Sequence, residues 1–152
     1  MYDDILLPID GSEGATSILH HAAEIAKLSD ARLQLLFVAD TTQDSLTVVG
    51  DTVVDALVQR GEDVVEEAAG TLDSLGVDCD TDVVQGNPAP TIVEYAERYD
   101  YDLIVIPTHG REGLSRHLVG SVTEKVVRLS AVPVLAARMK SDEQLEFPYE
   151  DI

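Results

Sequence analysis

Hydrophobic positions along this chain fall into two rhythms. Short and nearly unbroken apolar runs of strand length recur at Asp4–Ile9, Arg32–Ala39, Leu103–Ile106 and Val132–Ala137. Runs of that kind suit strands covered on both faces. Between them the apolar residues recur at helical spacing. Ile18, Leu19, Ala22, Ile25 and Ala26 predict a first helix ending near Leu28. Val54, Leu57, Val58, Val64, Val65, Ala68 and Leu72 predict a long second one over 51–75, with Gly76 as its stop and Gly61 weakening its middle. A third helix is expected from Ala89 to Arg98, and a fourth after Gly120 with Val122, Val126, Val127 and Leu129 as its buried stripe.

One segment keeps a different beat. Val77–Val84 alternates strictly, with Asp78, Asp80 and Asp82 on one face, which predicts a strand with a wet side at a sheet edge. Prolines punctuate two of the later runs. Pro107 is expected to end the Leu103 run, because it fixes φ and offers no N–H to a ladder. Pro133 places the last strand at an edge for the same reason. That edge carries no charge to discourage pairing, so a two-fold homodimer through Val132–Ala137 is expected. The alternative is that the acidic tail folds back over it.

Alternating strands and helices argue an α/β fold. The expectation is a single doubly wound domain over residues 1–138, with a five-stranded parallel sheet in the order 3-2-1-4-5 and helices on both faces. Residues 139–152 are left as an acidic tail. In such folds a ligand sits outside the carboxyl ends of strands where the strand order reverses. That places the crevice between the first strand, ending Pro8-Ile9-Asp10, and the fourth, ending Ile106-Pro107.

Composition narrows the class. The chain has 152 residues, within the usual span of one domain. No apolar run approaches the roughly 18 residues needed to cross a bilayer. The opening MYDDILLPID has acid where a secretion signal has base, and Cys79 is alone, so a reducing cytoplasm is the expected setting. Acidic residues number 29 against 10 basic ones, for a net charge of −19. A surface so negative argues against nucleic acid or anionic lipid as partners. It also suggests adaptation to molar salt, where screening acts within a few ångströms. The melting temperature is therefore expected to climb along a KCl series, and equal stability at low and high salt would refute the adaptation.

Against that background one stretch is basic. Between Pro107 and Ser130, Arg111, Arg116, Lys125 and Arg128 outnumber Glu112 and Glu124. A strand, a glycine-bearing loop and a helix start there, and free amides at a helix N-terminus favour an anion. The alternative is that these arginines pair with surface carboxylates. Other chemistry finds little support. His20 and His21 are adjacent, about 100° apart on a helix, and cannot share a metal. His109 and His117 lack ligand spacing, so no metal site is expected. Neither a GxxxxGK[ST] loop nor a GxGxxG fingerprint is present, and no nucleophile has a paired base.

The opening YDDILLPIDGS, the Thr108-His109-Gly110 triplet and Gly120-Ser121 ahead of EKVVRLSAVPVL resemble the universal stress protein family over about Tyr2–Arg138. Nucleotide-binding members carry Gly-x2-Gly-x9-Gly-Ser/Thr. Gly110, nine residues and Gly120-Ser121 reproduce the second half, while Pro107 stands where the first glycine would be. The resemblance implies a pocket for ATP or another adenine nucleotide, with Mg present only if the nucleotide carries it. Asp10 would accept from the ribose or the adenine edge, Pro8 and Ile9 would line the pocket, and Val38 would offer backbone groups to adenine. Ile106 and Thr108 would flank it at the strand end. Gly110, Gly120, Ser121, Val122 and Thr123 would hold the phosphates. The charge pattern adds His109, Arg111 and Arg116 as electrostatic support. The implied role is a dimeric nucleotide sensor in stress response or signalling, without catalysis. A dimeric interaction protein with a vestigial pocket, and a slow ATP hydrolase, remain as alternatives.

Overall fold

The apolar runs become the centre of one parallel sheet. In the computed structural model, residues 2–12, 15–42, 51–108 and 119–138 are described. The elements are β1 Asp4–Pro8, α1 Ala15–Ser29, β2 Arg32–Asp40, α2 Asp51–Ser74, β3 Cys79–Gly86, α3 Pro88–Arg98, β4 Leu103–Pro107, α4 Ser121–Leu129 and β5 Val134–Ala137. The five strands lie in the order β3-β2-β1-β4-β5, every neighbouring pair parallel, as the strand–helix alternation predicts.

Alternation along the strands divides the core in two. Ile5, Leu7, Leu33, Leu35 and Phe37 point to the face covered by α1 and α2. Leu6, Leu36, Ile104 and Ile106 point to the face covered by α3 and α4. Each such side chain, fully buried, contributes about 1.5–3 kcal/mol. Three helices end alike. The amides of Ala31, Val77 and Tyr101 reach back to the carbonyls of Ala26, Leu72 and Ala96, past left-handed Asp30, Gly76 and Asp100 at φ 53, 81 and 56°. On the outer edge β3 is partly roofed by α3, whose Tyr95 hydroxyl donates to Asp82 at 2.8 Å. Burial, and then that hydrogen bond, push the Tyr95 phenol well above its ordinary pKa.

Pro107 is the last residue of β4, buried and paired with Ala137 on β5, so the strand ends where the sequence predicts. Three expectations are corrected. Gly61 does not weaken α2: a Cβ there would meet Phe37 Cδ1 at 2.5 Å and Val83 Cγ1 at 2.9 Å, so the glycine lets the helix close on the sheet. The stripe expected on α4 is mostly outside. Only Thr123 and Val126 are buried, while Val127 and Leu129 are half exposed, because the helix covers the sheet margin with one narrow edge. Finally, the alternating strand is shifted two residues later, to Cys79–Gly86, and Thr81 faces solvent.

Candidate functional site: the parting of β1 and β4

At the carboxyl end of the sheet the two central strands separate. β1 pairs with β4 at Ile5–Leu103 and Leu6–Ile104 only. Yet β1 stays on β2 as far as Pro8–Leu36, and β4 stays on β5 as far as Pro107–Ala137. A crevice therefore opens where the strand order reverses, the place that doubly wound sheets use for ligands.

One wall comes from β1 and β2. Beyond Pro8 the Ile9 amide donates to the Leu36 carbonyl at 2.9 Å, which holds the chain against β2 for one residue more. Asp10 then turns away, its Oδ1 accepting the Ser12 amide at 2.9 Å. Gly11 takes φ +77°, and a Cβ on it would meet Val64 Cγ2 at 2.9 Å, so both conformation and close approach to α2 require glycine here. The Leu36 carbonyl faces β1, so the groups of Val38, two residues on, face the same way beyond the last β1–β2 bond.

The opposite wall is the start of α4. The Thr108 amide donates to the Ala137 carbonyl at 2.9 Å, and the Gly120 amide donates to the Thr108 carbonyl at 2.6 Å. The Thr123 hydroxyl, buried, donates to the Pro107 carbonyl at 2.6 Å. These bonds fasten the first turn of α4 over the end of β4. Gly120 is the N-cap, with no side-chain cap, and among the described residues the amides of Ser121, Val122 and Thr123 have no acceptor. Unsatisfied amides and the positive end of the helix dipole thus gather at the crevice mouth. Gly120 has φ −59° and ψ 150°, which any residue adopts, so its lack of a side chain matters for space alone.

The predicted site residues divide accordingly. Pro8, Ile9, Asp10 and Val38 stand on the β1–β2 wall and Gly120, Ser121, Val122 and Thr123 on the α4 wall, with the Ile9 side chain turned into the core on the α1–α2 face. The side chain of Ile106 instead belongs to the core beside Leu6 and Val126, and the backbone of Thr108 is spent on Ala137 and Gly120. The Thr123 hydroxyl works as a fastener, leaving its amide for a ligand. His109, Gly110 and Arg111, together with Arg116 and His117, lie outside the described residues. Among the described residues no cluster of three or more His, Cys, Asp or Glu side chains is placed to hold a metal, and no helix is long and apolar enough to cross a membrane.

The sequence pattern of the universal stress protein family matches residues 1–138. The chain belongs to that family. This universal stress protein is 34% identical over 150 residues to universal stress protein MJ0531 of Methanocaldococcus jannaschii, covering 94% of this chain and 86% of the relative. It superposes on the solved structure of MJ0577 from the same organism with a TM-score of 0.82 at 31% identity, covering 93% of this chain and 99% of that one. A universal stress protein solved in complex with cAMP shares the fold at a TM-score of 0.72 and 24% identity, over 91% and 99% of the two chains.

Proposed function

We propose that this universal stress protein binds ATP in the β1–β4 crevice and acts as a dimeric, non-catalytic nucleotide sensor in the cytoplasm. The observation that carries the reading is the set of amides on Ser121, Val122 and Thr123, without an acceptor among the described residues and held at the mouth of the parting. A protein of net charge −19 repels anions in general, so a place built of amide donors marks where one is wanted. Across the crevice the chemistry is the reverse. Asp10 and the backbone groups of Val38 offer acceptors suited to sugar hydroxyls and a base edge. A ligand with an anionic end and a hydroxyl-rich end fits both walls, and an adenine nucleotide has that form. The cAMP held by a protein of the same fold accords with this.

The dimer in this reading uses the outer edge of β5, which among the described residues pairs with β4 alone. Leu135 on that strand, with Val127 and Leu129 on neighbouring α4, leaves an apolar margin exposed, and a second copy would cover it. The same margin favours the interaction protein with a vestigial pocket as the second reading.

Native mass spectrometry of protein purified without added nucleotide separates the two. A dimer carrying ATP is expected. AMP or ADP alone would shift the ligand to another adenine nucleotide, and a dimer empty at every salt concentration would favour the second reading.

A further inference from the structure

The crevice occupies the carboxyl end of the sheet. At the amino end, the face that α3 and α4 cover elsewhere is left open. Strand alternation and register put Asp4 of β1, Arg32 and Gln34 of β2, and Asp80 and Asp82 of β3 on the same face as buried Leu6 and Leu36. None of the five is buried, and Arg32 and Asp80 are exposed, so no described helix roofs this corner.

A ledge of tyrosines borders it, where α3 ends and the chain turns toward β4. Aromatic residues make up only 5% of the chain and tryptophan is absent, yet three of the five tyrosines meet here. The Tyr95 ring centre lies 4.7 Å from that of Tyr99 and 5.9 Å from that of Tyr101, on which it stacks. The Tyr95 hydroxyl donates to Asp82 at 2.8 Å, and the Tyr101 hydroxyl donates to the Gln34 side chain at 3.3 Å. Both rings are thereby tied to the sheet, while Tyr99 at the rim is 55% exposed. Rigid, half-wet tyrosines are the residues that protein interfaces favour.

Charge selects the occupant. Three aspartates against Arg32 repel a second copy of a chain of net charge −19, and they repel nucleic acid or anionic lipid equally. Guanidinium groups, in contrast, are held here twice already. Arg32 Nε and Nη2 lie 2.9 and 3.1 Å from the two carboxyl oxygens of Asp4. Arg98 Cζ lies 5.8 Å from the centre of the Tyr99 ring. Asp80 takes no donor among the described residues and stands exposed beside them. A planar guanidinium can stack on a ring and pair with a carboxylate at once, which an ammonium does less well. We propose that this corner docks an arginine-bearing segment of a partner protein, with a guanidinium laid on the tyrosine ledge and paired with Asp80. Stacking acts at contact range, so it persists in molar salt, where attraction over longer distances is screened. The surface lies at the other end of the sheet from the crevice, and the inference is independent of nucleotide binding.

The test is fluorescence anisotropy in molar KCl with two short labelled peptides of equal charge, one alternating serine with arginine and the other serine with lysine. The full chain is compared with Tyr99→Ala, Asp80→Asn and, as a control on the far side of the sheet, Glu66→Gln, all at exposed positions and checked by thermal melting. The arginine peptide is expected to bind about fivefold more tightly than the lysine peptide, the usual advantage of one ring–guanidinium contact. Tyr99→Ala should abolish that preference. Asp80→Asn should weaken the arginine peptide about threefold, and Glu66→Gln should leave it unchanged. Equal affinity for the two peptides, or a loss in Glu66→Gln as large as in Asp80→Asn, would mean diffuse attraction to an acidic surface and overturns the proposal. Absence of binding by the arginine peptide, or a preference that survives Tyr99→Ala in a folded chain, overturns it too.

Discussion

Gly120→Val is expected to weaken ATP binding about a hundredfold, measured by titration, in a chain that still melts cooperatively. The backbone at Gly120 has φ −59°, so valine brings no strain of conformation, and its amide keeps the bond to the Thr108 carbonyl. What changes is access. The branched side chain would stand where an anion approaches the amides of Ser121, Val122 and Thr123. A hydrogen bond to a charged group contributes roughly 1.5–3 kcal/mol, so losing one or two of the three gives the stated factor. Gly120→Ala, with a single methyl, should fall between the two. Unchanged affinity in the valine variant would remove the phosphate-holding role from this helix and leave the crevice without its anionic end.

The largest loss of stability is expected at Gly61→Val. Helix propensity alone predicts a gain when a mid-helix glycine is replaced, up to about 1 kcal/mol for alanine. Packing outweighs it. The new Cβ would sit 2.5 Å from the Phe37 ring and 2.9 Å from Val83 Cγ1, and valine's two further methyl groups cannot turn away from both. Phe37 lies in the buried cluster beneath the sheet and has little room to retreat. Overpacking of this degree costs about 3 kcal/mol, near 10 °C of melting temperature in a domain of this size. A variant melting at or above the parent would show that α2 lifts from the sheet at no cost. The same shift of α2 would disturb Gly11, which rests against Val64 two residues beyond the crevice wall, so nucleotide affinity should fall along with stability.

Much of the architecture was readable in the order of residues, because the period of apolar positions is a local property. The Leu103–Ile106 run reads as a buried strand and Ile18 to Ala26 as a helix whatever lies elsewhere, and the structure agrees with both. The placing of the crevice between the first and fourth strands followed from the strand order alone. The α4 stripe shows where this reasoning stops. Val122, Val126, Val127 and Leu129 are all apolar, but which of them faces the sheet depends on how far the helix overhangs it, and only Val126 is fully covered.

Pro107 carries the same lesson further. Taken by itself it reads as a strand terminator, since proline lacks a donor, and β4 does end there. Its surroundings depend on β5 and α4, where Ala137 pairs with it and the Thr123 hydroxyl takes its carbonyl. Composition and periodicity thus determined the α/β class, the sequence of elements and the end of the sheet at which a ligand would sit. Tertiary structure alone decided how the amides and carbonyls of the described residues are paired there, because hydrogen-bond satisfaction is a property of neighbours in space, and neighbouring strands here are joined by long crossovers.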